Sequence, residues 1–102
     1  MNRTIIVQPE AEEDLSSIWI YGYWNYGEHQ ANCYNLKFDT LFSRLVSNEL
    51  GRKRSELGEH VYSLPCGRHI IFYRSESDTV FIGRILHHSQ DIGAFTFDIQ
   101  FH

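Results

Sequence analysis

The run Arg68-His69-Ile70-Ile71-Phe72-Tyr73-Arg74, the link Glu76-Ser77-Asp78 and the run from Thr79 to His88 decide the fold. Both runs are rich in β-branched and aromatic residues, and four polar residues, 75–78, separate them. That is the pattern of two strands and a hairpin loop. Working upstream, Val61-Tyr62-Ser63-Leu64 carries the same period of two, and Pro65-Cys66-Gly67 reads as a turn. Strands at 61–64, 68–74 and 80–87 then form an antiparallel meander with short connections. Alternation puts Arg68, Ile70, Phe72 and Arg74 on one face of the middle strand, and His69, Ile71 and Tyr73 on the other. Both sets contain apolar residues, so the pattern leaves open which face is core. It also predicts a sheet covered on both sides, by helices on one and by a partner on the other.

Before Leu50 the apolar period is helical. Ala31, Tyr34, Phe38, Leu41, Phe42 and Leu45 recur at spacings of three and four, which predicts a helix over 28–47. An earlier helix is expected over 9–24. Pro9 suits a first turn, where its missing N–H costs nothing, and Glu10, Glu12, Glu13 and Asp14 complement the helix dipole. Leu15, Ile18 and Tyr21 continue its stripe, thickened by Trp19, Tyr23 and Tyr26. Gly27 is the break that joins the two helices into a hairpin. Residues 4–8 are β-branched and read as a first strand. The expected class is α+β in the order β-αα-βββ, with the N-terminal strand and helical hairpin packed on an antiparallel sheet. The opposite face of the sheet is then expected to be concave or solvated. The segment 50–55 reads as a polar, basic connection. The tail 92–102 carries Phe95, Phe97, Ile99 and Phe101 at period two, an apolar arm or a fifth strand.

Composition bounds the function. A chain of 102 residues is one domain over 1–102. A hydrophobic fraction of 42% supports a core, and 15% aromatics fill it with rings. Nine Lys and Arg against thirteen Asp and Glu give a net charge of −4, which argues against broad coating of nucleic acid and against direct sequence-specific binding to it. No run approaches 18 apolar residues, so neither a membrane span nor a signal peptide is expected. The two cysteines, Cys33 and Cys66, make no disulfide framework and no zinc motif, and each is expected as a buried free thiol in a cytoplasmic protein. No metal or cofactor motif is present.

Several stretches together resemble the ParE toxins of the RelE/ParE toxin–antitoxin superfamily. They are Gly51-Arg52-Lys53-Arg54-Ser55-Glu56-Leu57-Gly58, Pro65-Cys66-Gly67-Arg68-His69-Ile70-Ile71-Phe72-Tyr73, Arg84-Ile85-Leu86-His87 and Asp91, preceded by Ala11, Asp14-Leu15, Ile18, Gly27, Gln30-Ala31 and Tyr34. The resemblance spans about residues 4–91 and does not reach the tail. It implies the RelE/ParE fold and the toxin of a type II module of the kind linked to plasmid stabilisation. Such a toxin poisons DNA gyrase and is neutralised by a cognate ParD-like antitoxin. It implies no cofactor and no enzymatic activity. RelE-type relatives instead cut mRNA in the ribosome, so fold alone does not choose the target.

Two sets of residues follow. A nuclease needs a base, a general acid and cations at the phosphate, and Glu56, Arg68 and His87 are the candidates. Against that reading, the chain has only Lys37 and Lys53 as lysines, and His87 belongs to a stretch typical of the non-nuclease toxins. A third possibility is an inactive member that only binds its antitoxin. For partner binding the candidates are Trp24, Arg52, Arg54, Arg68, Arg74 and Arg84. Trp and Tyr favour interfaces, and the arginines suit an acidic partner segment. For Arg68, Arg74 and Arg84 the alternative is internal pairing with the acids of 10–14 or 76–78.

Overall fold

The computed structural model describes residues 2–90. Strand β1 (Thr4–Val7) is followed by helices α1 (Pro9–Tyr26) and α2 (Glu28–Leu45), a two-residue strand β2 (Arg52–Lys53), a 3-10 turn at Ser55–Leu57, and strands β3 (Val61–Cys66), β4 (His69–Ser75) and β5 (Thr79–His87). The five strands form one sheet in the order β1-β5-β4-β3-β2. This is an α+β fold with two helices on one face of the sheet.

The helical hairpin follows from its punctuation. Pro9 opens α1, with Glu10 and Glu12 in the first turn. Gly27, at φ +91°, donates its N–H to the Tyr23 carbonyl to close α1, and its own carbonyl accepts from Ala31 to open α2. A single residue therefore ends one helix and starts the next. Each helix differs by two residues at its C-terminal end from the range expected from sequence. The C-terminus of α2 is fixed by Arg3, whose guanidinium donates to the Leu45 and Asn48 carbonyls at 2.8 and 3.0 Å. A cation there also opposes the helix dipole. Arg3 reaches Ser75 and the Glu76 carbonyl as well, so it links β1, α2 and β4.

The core lies between the helices and the sheet. Ala11, Phe38, Phe42 and Leu45 from the helices meet Leu64, Cys66, Ile71, Tyr73, Val80, Ile82 and Ile85 from the strands. Burying each large side chain contributes roughly 1.5–3 kcal/mol. Tyr73 is fully buried, and its hydroxyl donates to the Leu50 carbonyl and accepts from the Leu50 N–H.

Several expectations are corrected. The sheet is mixed, because β1 runs parallel to β5, pairing Thr4 with Thr79 and Val7 with Ile82. The chain leaves β1 through both helices and most of the sheet before returning beside it, a crossover that permits parallel pairing. Part of the basic connection is a strand: Arg52 and Lys53 pair with Ser63 and Tyr62. Pro65 and Cys66 belong to β3, and the turn is Gly67-Arg68, with Cys66 opposite His69. Arg68 therefore sits in the turn and not on the strand face shared by Ile70 and Phe72. The alternation on β4 and β5 also breaks at a bulge, where Phe72 pairs with Arg84 and Tyr73 with Ile82. The far face is not solvated throughout: Val61, Phe72 and Leu86 are buried there. Arg54 lies over the Phe72 ring at 5.9 Å and Arg74 over Phe81 at 4.9 Å, each covering apolar surface with a guanidinium plane. Cys33 is exposed and only Cys66 is buried. The expectation for the tail lies outside the described residues.

Candidate functional site

A groove of about 800 Å³ opens between the second half of α1, the start of α2 and the Gly67-Arg68 turn, and reaches His87 at the end of β5. Its apolar wall includes Ile18, Tyr21, Tyr26 and Ala31. Gly22 of α1 faces Ala31 of α2, where a Cβ would lie 3.4 Å from the Ala31 backbone, in ordinary contact. The other end is polar and built around Tyr34. Arg68 donates its backbone N–H to the Tyr34 hydroxyl at 2.8 Å, and that hydroxyl lies 2.7 Å from His69 Nδ1. The hydroxyl has two acceptors within reach for its proton, His69 Nδ1 and the Cys66 carbonyl at 3.4 Å, and the His69 tautomer follows from which one takes it. Burial pushes the His69 pKa down to about 4, helped by the neighbouring His87 and His88, so its ring is neutral at pH 7. Burial also raises the Tyr34 pKa. The His69 and His87 rings meet edge to face at 5.3 Å, and His87 Nδ1 accepts from the Ser89 N–H at 3.2 Å. The Lys37 ammonium lies 5.3 Å from the Tyr34 ring centre.

The candidate nuclease residues are not assembled. Arg68 and His87 are neighbours, since the Arg68 carbonyl accepts from the His88 N–H at 2.9 Å and both line the groove. Glu56 is at the other end of the sheet. Arg54 donates to the Val61 carbonyl at the start of β3, while Arg68 follows Cys66 at its end. Five strand steps of about 3.3 Å make roughly 16 Å between those ends. Its own backbone N–H first, and then Arg54 at 3.0 Å, hold the Glu56 carboxyl below the usual carboxylate range.

The candidate partner-binding residues divide. Arg84 pairs with Asp14 at 2.8 Å, and Asp14 also accepts the Ile85 N–H at 2.9 Å, satisfying the edge of β5 beyond the end of β1. Arg74 pairs with Glu76 at 3.1 Å, and Arg54 with Glu56. These three cations have internal work. Arg52 and Arg68 are exposed. Trp24 is 77% exposed, and Tyr21, Tyr23 and Tyr26 are exposed beside it, so Tyr21 does not continue the buried stripe. Trp19 is half-buried and donates its indole N–H to Asn32 on α2 at 2.8 Å. Trp19 stacks on Tyr23, and Tyr23 meets Trp24 edge to face. Among the described residues no group of three or more His, Cys, Asp or Glu is placed to hold a metal ion.

A family model described as the ParE toxin of the type II toxin–antitoxin system parDE matches residues 5–92. The chain belongs to that family. A solved structure titled as the chromosomal ParDE TA system from P. aeruginosa superposes with a TM-score of 0.73. It is 17% identical, and the match covers 83% of this chain and 95% of that one, a likeness of fold. No curated protein sequence matches.

Within this ParE-family fold, sequence reasoning missed Tyr34, Lys37 and His69 as groove residues. Tyr34 read as one member of a helical core stripe, and it is half-buried there. Only the pairing of Cys66 with His69 brings the turn up to its hydroxyl. No helix among the described residues is long and apolar enough to cross a membrane.

Proposed function

We propose that this ParE-family chain is a toxin that acts by binding DNA gyrase and stabilising its cleaved complex with DNA in the cytoplasm, and that a ParD-like antitoxin silences it. Family membership supports the target. The row of exposed rings from Tyr21 to Tyr26, beside an apolar groove, supports a protein partner, because such a patch is what an interface buries. The separation of Glu56 from Arg68 and His87 favours binding over the mRNA interferase alternative.

A supercoiling and cleavage assay with purified gyrase and the purified chain tests the reading. Cleaved DNA accumulates with the chain and disappears when the protein encoded beside it is added. Unchanged supercoiling with a folded chain refutes the gyrase target, and ribosome toeprinting then tests the interferase.

A further inference from the structure

The polar end of the groove is a set of donors with no resident carboxylate. Thirteen residues line the groove and none is Asp or Glu, in a chain with thirteen such residues and a net charge of −4. Lys37 and Arg68 are exposed and form no ion pair among the described residues. The Nδ1 atoms of His69 and His87 are both engaged within the fold, and the Ser89 N–H donated to His87 Nδ1 leaves the His87 Nε2–H as a donor. The nearest carboxylate felt by His69 belongs to Asp14, and Arg84 and the Ile85 N–H occupy it. The backbone of the turn is fixed too. Gly67 has φ +58°, and a Cβ there would lie 2.7 Å from the Tyr34 hydroxyl. That close approach holds Arg68 at the mouth of the groove.

We propose that this end of the groove is a receptor for one carboxylate side chain, Asp or Glu, of a protein segment whose apolar neighbours lie against Ile18, Tyr21 and Tyr26. The fixed turn sets where the Arg68 side chain leaves the backbone, and charge-assisted hydrogen bonds are the strong ones. The volume suits several side chains and not a lone ion. A polyphosphate backbone needs a broad basic surface, which a chain of net charge −4 does not supply, whereas one carboxylate needs only this local set of cations. The source of that carboxylate rests on the antitoxin reading; the site itself does not.

The full chain is titrated at pH 7 with N-acetyl-leucyl-glutamyl-leucinamide while the His69 and His87 ring resonances are followed by NMR. Saturable shifts at both rings are expected, lost with the Gln counterpart of the peptide and lost in the Lys37→Gln/Arg68→Gln double variant. No saturable shift, or equal shifts with the Gln peptide, overturns the proposal. Inorganic phosphate producing the same shifts at lower concentration than the peptide overturns the carboxylate assignment. In parallel, the affinity of the neighbouring-gene protein is measured by calorimetry. The double variant is expected to bind it about tenfold more weakly, with a shallower salt dependence. Equal affinity for both chains overturns the assignment of the carboxylate to that protein and leaves the antitoxin reading standing. Peptide shifts without any binding of the neighbouring-gene protein keep the site and refute the antitoxin reading.

Discussion

Asp14→Ala tests whether Arg84 is a structural cation. The Asp14 carboxylate accepts from Arg84 Nε at 2.8 Å, from Nη2 at 3.2 Å and from the Ile85 N–H at 2.9 Å. The side chains of Arg84 and Asp14 are 17% and 16% exposed, so water replaces little of what the variant removes. Breaking a fully buried ion pair costs about 3–5 kcal/mol, mostly because the remaining charge is stranded. With this residual exposure we expect roughly 2–3 kcal/mol, which includes an unsatisfied backbone N–H. At about 4–8 °C per kcal/mol for a domain of this size, Tm falls by roughly 10–20 °C. Urea denaturation followed by far-UV circular dichroism gives the free energy, with an unchanged m-value as the check on the unfolded state. The Asp14→Ala/Arg84→Met double variant removes the stranded charge and recovers about 1 kcal/mol or more relative to the sum of the single costs. A single-variant cost below about 0.5 kcal/mol, or additivity within about 0.3 kcal/mol, would refute the internal role and return Arg84 to the partner surface.

Three other outcomes are expected. His69 is held near pKa 4, below its usual 6.5, chiefly by burial, so the unfolded chain takes up a proton first as pH falls. The stability of the neutral ring is therefore complete above pH 6.5 and eroded down to pH 4. After discounting for partial exposure the loss is roughly 1–2 kcal/mol, and His69→Phe should flatten that part of a denaturation-versus-pH curve. Gly67→Ala places a methyl against the Tyr34 hydroxyl at a positive φ; a cost of roughly 2 kcal/mol and loss of the His69 ring environment by NMR are expected, and a neutral variant refutes the tight turn. Trp24→Ala changes stability by less than about 0.5 kcal/mol, because the ring is 77% exposed, yet weakens antitoxin binding about tenfold by calorimetry. Unchanged affinity removes Trp24 from the interface.

The helical hairpin and the three long strands were legible because their signals are local. Gly27 marks a one-residue joint, and the apolar spacing from Ala31 to Leu45 admits only a helix. The pairing of β1 was not legible. Thr-Ile-Ile-Val announces a strand, but its neighbour and direction depend on where two helices deliver the chain, which no local pattern encodes. Arg52 and Lys53 hid for another reason. A two-residue edge strand has no period, and its charges keep the edge from pairing with other chains. Tyr21 was misplaced because the apolar stripe of α1 runs on from half-buried Ile18 into rings that are exposed. Its exposed rings obey helical spacing without having a core to face.

The arginines show why a site is hard to read from charge in a sequence. Arg52, Lys53 and Arg54 are adjacent, yet the structure treats them differently. Arg54 turns onto Phe72, Ser63 and Glu56, while Arg52 and Lys53 remain exposed on the edge strand. Arg3, Arg74 and Arg84 likewise hold carbonyls or carboxylates of their own chain. Cations engaged in this way add little to binding a partner, since each new contact would have to displace an existing one. What recognises an anion is the remainder, and two members of it, Lys37 and Arg68, come from different elements 31 positions apart. They line one groove because Gly67 lets the β3–β4 turn touch Tyr34 one helical turn before Lys37. The groove's charge is thus a property of the hairpin's register on α2. A substitution that shifts that register, such as Gly67→Ala, should weaken anion binding without removing a single charged group.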